Sequence, residues 1–135
     1  MDKLEQSKKL FLHDRYATEV TGIHIVAVND HYAQCTLSLD SRHRNAMGGI
    51  MGGAIFTLAD FAFAIAANTD CLDNGKPLWV SAASTIVYHS NTADNTISAS
   101  TRCLKHGRSC CSYEISVTDS SDKLIATILT NGSKV

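Results

Sequence analysis

Between Ala54 and Ala67 the sequence AIFTLADFAFAIAA contains only two side chains that are not apolar, Thr57 and Asp60. Ile55, Leu58, Ala62 and Ile65 form one stripe at helical spacing, and Phe56, Ala59, Phe63 and Ala66 form another. A helix apolar on two sides must be enclosed rather than laid on a surface. The rest of the chain therefore has to wrap around it. Asn68 and the following DCLDNGKP segment, with the only proline at 77, supply stop signals, placing the central helix at about 52–68.

Six segments can do the wrapping. VTGIHIVAV (20–28) and HYAQCTLSL (31–39) alternate in the manner of half-buried strands, and Asn29-Asp30 between them predicts a two-residue hairpin turn. Strand-like runs follow at 78–89, 96–105, 109–118 and 123–131. The third of these puts Cys111, Tyr113, Ile115 and Val117 on one face and Ser112, Glu114 and Ser116 on the other. Gly107-Arg108 and Asp119–Asp122 are turn candidates, and short turns imply antiparallel pairing. Residues 3–12 predict a short helix with a weak stripe of Leu4, Lys8, Phe11 and Leu12. With 135 residues and no linker or repeat, residues 1–135 read as a single α+β domain whose sheet curls around the central helix.

Bulk properties exclude several functions. A formal net charge of −1 gives no reason to expect nucleic acid or an anionic membrane as partner. The longest apolar run is about half of what a bilayer span needs. The N-terminal MDKLEQSKKLFLHDRY is too charged for the apolar core of a signal peptide. Five cysteines without CxxC spacing read as reduced thiols, so the expected location is cytoplasmic. Cys110 and Cys111 should point to opposite faces of a strand and not bridge. The six histidines, at 13, 24, 31, 43, 89 and 106, show no HxH or HExxH pattern. They read as surface or loop residues, and no metal or cofactor is expected.

Asp60 then needs a reason to exist, because burying an unpaired carboxylate costs several kcal/mol. One reading is a structural carboxylate paired with an arginine or with strand N–H groups. The other is a general base or nucleophile whose pKa desolvation raises. The preceding SRHRNAMGGIMGG loop (41–53) also has competing readings. Phosphate binding fits poorly, since GGIMGG lacks the Lys-Ser/Thr of a P-loop and follows no strand of a βαβ unit. The glycines serve either a tight turn alone, or a helix start at Gly52-Gly53 whose first N–H groups are free to polarise a carbonyl. Gly52 and Asp60 are eight residues apart, roughly 12 Å along a helix. One carbonyl cannot meet both within one chain. If both take part in one reaction, they come from two chains with helices packed side by side and antiparallel.

These residues resemble a known family. Asn45, then Met51-Gly52-Gly53 six residues on, then Leu58-Ala59-Asp60 with its aspartate nine residues after the methionine, is similar to the hotdog-fold thioesterases, and most to the PaaI-like branch. The likeness runs through WVSAASTIVYHSN (79–91) and the KHGRS hairpin, covering roughly 18–132. It implies a hotdog fold of about six antiparallel strands around the central helix, a homodimer with helices side by side, and commonly a tetramer built from dimers. The implied activity is hydrolysis of an aryl- or medium-chain acyl-CoA thioester.

By the same resemblance the Gly52 N–H binds the thioester carbonyl, Asn45 helps place the carbonyl or the water, and Asp60 of the partner is base or nucleophile. Ser81 falls where relatives hold the water, while Gly53, Met51 and Thr57 are expected beside the substrate. The basic clusters Arg42-His43-Arg44 and Lys105-His106-Gly107-Arg108 are candidates for the phosphates of coenzyme A, with Lys105 and Arg108 favoured. One departure is Met51, where the family has histidine. A thioether cannot donate a hydrogen bond, which keeps open a non-catalytic acyl-CoA-binding protein. A hotdog hydratase would need a histidine on the central helix, and this helix has none.

Overall fold

In the computed structural model, which describes all 135 residues, the chain begins with α1 (Lys3–Phe11) and a wide helical turn (Tyr16–Thr21). It continues through β1 (Ile23–Asn29), β2 (Tyr32–Ser38), α2 (Gly52–Ala67) and a second helical turn (Thr69–Asn74). Last come β3 (Trp79–Tyr88), β4 (Thr96–His106), β5 (Cys110–Asp119) and β6 (Leu124–Lys134). The six strands form one antiparallel sheet in the order β1-β2-β4-β5-β6-β3. The α2 segment carries the chain from β2 across to the far edge, where β3 pairs only with β6. The helix touches all six strands, as its two apolar stripes require.

Enclosure is not complete. Ile55, Leu58, Ala59, Phe61, Ala62, Phe63 and Ile65 are buried, while Phe56, Thr57, Asp60 and Ala64 are half-buried and Gly53 is exposed. Those five, at spacings of three and four, form one narrow outward stripe. Asp60 thus lies on the least covered line of the helix and not at its centre.

Strand boundaries differ from the pattern by a few residues, each for a local reason. The first strand starts at Ile23 and not at 20, because Tyr16–Thr21 is helical and ends at Gly22 with φ +92°. The β1–β2 turn centres on Asp30-His31, one residue later than Asn29-Asp30, and His31 takes the left-handed conformation with φ +52°. Leu12 lies beyond α1 and is exposed, so Phe11, with its ring edge-on to Phe61 at 6.0 Å, anchors that helix together with the half-buried Leu4 and Leu10. Cys110 is exposed and Cys111 buried, on opposite faces as expected, and all five thiols are free. No helix is long and apolar enough to cross a membrane.

At the end of α2 the buried Asn68 side chain satisfies both of its polar atoms. Its Nδ2 donates to the carbonyls of Ala64 (2.8 Å) and Trp79 (3.1 Å), and its Oδ1 accepts from the N–H groups of Leu78 and Trp79 (2.8 Å each). This clamp sets where β3 begins, and therefore where Ser81 sits.

Candidate active site

The loop before α2 is a tied structure. Asp40 and His43 form a reciprocal cap on a short turn, and the His43 ring is buried 2.8 Å from the Thr21 carbonyl. Asn45 Oδ1 accepts from the N–H groups of Met47 and Gly49 at 3.0 Å each. That leaves the Asn45 Nδ2 donor free on an exposed residue. A Cβ on Gly49 would lie 2.9 Å from Asn91 Nδ2, so any larger residue there would push the Asn91 side chain aside. The Arg42-His43-Arg44 cluster ties its loop to the rest of the chain, each of the three side chains bonding within the protein. Arg42 binds Asp40 and the Val20 carbonyl, and Arg44 donates to the carbonyls of Thr92 and Asp94.

The helix opens with unspent donors. Met51 occupies the cap position in extended backbone, φ −58° and ψ 128°, and its side chain caps nothing. Ala54 and Ile55 N–H reach the Met51 carbonyl, but the N–H groups of Gly52 and Gly53 donate to nothing in the chain. Tyr88, from the end of β3, donates its hydroxyl to the Gly52 carbonyl at 3.0 Å. A Cβ on Gly52 would stand 2.8 Å from that hydroxyl, whereas nothing comes within 4 Å of one on Gly53. Asn45, Gly52, Tyr88 and Asn91 line one cleft of about 480 Å³. Tyr88 and Asn91 were not singled out by spacing, since only the β3–β6 pairing brings them to the helix start.

Asp60 lies in a second cleft, of about 360 Å³, lined by Asp14, Arg15, Tyr16, Ala17, Thr57, Asp60, Phe61 and Ala64. No residue lines both clefts. Burial pushes the Asp60 pKa up from its usual value, and the negative charge of Asp14 adds to this, while the Ser81 hydroxyl opposes it by favouring the ionised form. Ser81 owes its aim to a bulge in β3, where the register with β6 shifts between Ser81 and Ala83. Thr57 donates its hydroxyl proton to the Gly53 carbonyl at 2.8 Å and keeps only acceptor capacity towards the cleft. Asp14 is a further residue that no local pattern flagged. The connection between α1 and the helical turn at Tyr16–Thr21 carries it there.

The remaining candidates fall elsewhere. Lys105 and Arg108 share a groove of about 610 Å³ with Ala82, Ala83, Cys110 and Asn131, and neither cation makes an ion pair or hydrogen bond. Met51 is 45% exposed and lines neither cleft. The sequence candidates therefore form three groups in one chain: Asn45 with Gly52, Asp60 with Ser81 and Thr57, and Lys105 with Arg108.

Comparison with known proteins agrees with the fold. The family model of the thioesterase superfamily matches residues 47–126, more than half of the chain. The acyl-coenzyme A thioesterase PaaI of Escherichia coli K12 is 28% identical over 105 residues, covering 78% of this chain and 72% of that one. The solved structure of the E. coli PaaI protein from the phenylacetic acid degradation operon superposes with a TM-score of 0.87 at 23% identity, covering 98% of this chain and 94% of that one. A hypothetical thioesterase protein from Streptococcus pneumoniae, solved with coenzyme A, shares the fold with a TM-score of 0.80 at 17% identity, covering 93% and 96%. The chain belongs to the thioesterase superfamily, as a PaaI-like thioester hydrolase of hotdog fold.

Proposed function

We propose that the protein hydrolyses acyl-CoA thioesters, of aryl or medium-chain type, at two equivalent sites of a homodimer. Each site takes the Gly52 N–H and Asn45 from one subunit and Asp60 and Ser81 from the other. The observation that carries this reading is the separation of the two half-sites: a cleft that holds the free Gly52 donor and no carboxylate, and a cleft that holds the Asp60 carboxylate and no part of the α2 start. Two further features support a second copy. The outward stripe of Gly53, Phe56, Thr57, Asp60 and Ala64 offers a mostly small surface against which another α2 can lie. The β3 edge is unpaired along its outer side, and Val80, Val87 and Tyr88 are each about half exposed (47, 51 and 49%), the kind of edge that a monomer normally protects.

In this arrangement the Gly52 N–H, at the positive end of α2, holds the thioester oxygen as charge develops on it. Asn45 Nδ2 supplies a second donor to the carbonyl or the water. Asp60 either takes a proton from a water that attacks the carbonyl carbon, or attacks that carbon itself to give an anhydride that water then cleaves. On both routes the C–S bond breaks and the thiolate leaves with a proton. A raised pKa strengthens Asp60 as a base. Lys105 and Arg108 are the free cations that fit the phosphates of coenzyme A. Met51 does not remove the backbone donor, which favours turnover over mere binding. Free-thiol release from a panel of aryl and aliphatic acyl-CoAs tests the reading. Asp60→Asn should lose about 10²–10⁴-fold in rate; equal rates would overturn it.

A further inference from the structure

Beyond the C-terminal end of α2, three residues from three different turns converge. His31 sits in the β1–β2 hairpin, Asp70 in the helical turn after α2, and His106 at the end of β4. Their sequence separations hide the cluster, which is why the histidine spacing suggested no metal. Nε2 of His31 lies 3.6 Å, and Nε2 of His106 3.9 Å, from the same Oδ2 of Asp70. The donor atoms of all three lie within 4.8 Å of one another.

These separations are too long for hydrogen bonds, so the three groups face one another without bonding. The His31 ring makes no hydrogen bond at all, and its Nδ1 is buried without a partner. Two imidazole nitrogens and a carboxylate oxygen on one tetrahedral cation, at bonds of about 2.0–2.2 Å, stand roughly 3.3–3.5 Å apart. The two edges to Asp70, at 3.6 and 3.9 Å, exceed that, and the edge between the two histidines is at most 4.8 Å. Asp70, with its side chain 57% exposed, is free to close the difference.

The surroundings are those of a held ligand set. His106 Nδ1 lies 2.8 Å from the hydroxyl of the fully buried Tyr113. With the Nδ1 proton donated to that oxygen, the Nε2 lone pair faces Asp70, as an outer partner of a metal-bound histidine arranges it. Trp79 packs on His106 at 4.5 Å and holds it, whereas the His31 ring stacks on His106 at 4.1 Å with 26° between the planes and has to turn, free of any hydrogen bond, to aim its lone pair at the same cation. The left-handed His31 backbone (φ +52°) is uncommon for a side-chain-bearing residue. Its N–H is tied to Thr69 Oγ1 at 2.9 Å, which fixes the hairpin against the Asp70 turn.

We propose that His31, Asp70 and His106 form a binding site for a zinc-class divalent cation, with a fourth position open to water. Two nitrogens and one oxygen suit zinc or cobalt(II) rather than magnesium or calcium, which prefer all-oxygen sets. Its role is structural: it cross-links the β1–β2 hairpin, the turn after α2, and the β4–β5 hairpin that carries Lys105 and Arg108. The site is independent of thioester hydrolysis and can stand or fall without it.

The test is titration of chelator-treated protein with Co²⁺, read by its visible d–d absorption, followed by competition with Zn²⁺. Cys110→Ser is used throughout so that the exposed thiol does not bind the cation. One Co²⁺ per chain should bind and be displaced by Zn²⁺. Asp70→Asn and His31→Ala should each weaken binding by more than the roughly 10–100-fold that loss of an outer partner costs. Asp70 is exposed, so its variant should keep the circular dichroism and melting curve of the metal-free parent. Absence of stoichiometric Co²⁺ binding, or equal binding by the folded Asp70→Asn chain, would overturn the proposal.

Discussion

The two ends of α2 are finished in opposite ways. At the C-terminal end Asn68 is buried and uses both polar atoms of its side chain in four hydrogen bonds. At the N-terminal end the cap residue is a methionine that bonds to nothing, and two backbone N–H groups are left without partners. A Ser, Thr, Asp or Asn at the cap is typically worth about 1 kcal/mol, so the open end forgoes stability that a single substitution would supply. In a helix otherwise packed against six strands, that omission falls where free donors are of use. One end holds the fold, and the other is left available for chemistry.

The largest effect expected from breaking this contrast is at Gly52. Proline is well tolerated as the first residue of a helix, and Met51 already has the extended backbone that precedes proline readily. Gly52→Pro therefore deletes the N–H while keeping the helix. It is made together with Tyr88→Phe, which removes the hydroxyl that a Cβ at 52 would meet at 2.8 Å and leaves the ring, with Cζ at 3.0 Å, to give way slightly. Against Tyr88→Phe alone, the double variant should lose about 10²–10³-fold in kcat with an unchanged melting curve. The reverse pattern belongs to the other end. Asn68→Ala should cost about 2–4 kcal/mol in denaturant unfolding, by stranding buried N–H and C=O groups, with little change in rate per folded molecule.

Met51→Ser sharpens the comparison. A serine there accepts from the Gly53 or Ala54 N–H and not from Gly52. Stability should rise by about 1 kcal/mol in chemical denaturation, while kcat changes only a few-fold. A large rate loss would move the working donor from Gly52 to Gly53. The smallest effect concerns the second cleft. In the proposed site Asp60 must be ionised to act, and its raised pKa moves the acid limb of kcat/KM to higher pH than an unperturbed aspartate would give. Asp14→Asn removes a charge that raises this pKa and should shift the limb to lower pH. Ser81→Ala removes a group that lowers it and should shift the limb to higher pH.

Much of this was legible in the sequence because it follows from period. The two apolar stripes of α2 and the alternation in β5 predicted a helix wrapped by an antiparallel sheet, which is observed, with one stripe of the helix left uncovered. Features that depend on backbone conformation or tertiary approach were not legible. The left-handed His31 displaced a turn by one residue, and Tyr16–Thr21 became helical where no periodicity marked it. The spacing of Asn45, Gly52 and Asp60 pointed to the residues of the proposed site. Tyr88 and Asp14 reach it only through the pairing of β3 with β6 and the fold of the N-terminal segment. Asp60 itself looked like a carboxylate in the middle of a core. In the structure it lies on the one stripe of α2 that the single chain leaves uncovered.

The central claim is that each site is shared between two chains, and mixed dimers test it most directly. One chain carries Asp60→Asn, and the other carries Gly52→Pro with Tyr88→Phe. Each parent homodimer should be nearly inactive, and each mixed dimer should regain about one working site of two, read as thiol release at the level of the Tyr88→Phe enzyme per intact site. Thiol release that stays at the level of the inactive parents, in mixtures shown to contain mixed dimers, would contradict the two-chain site.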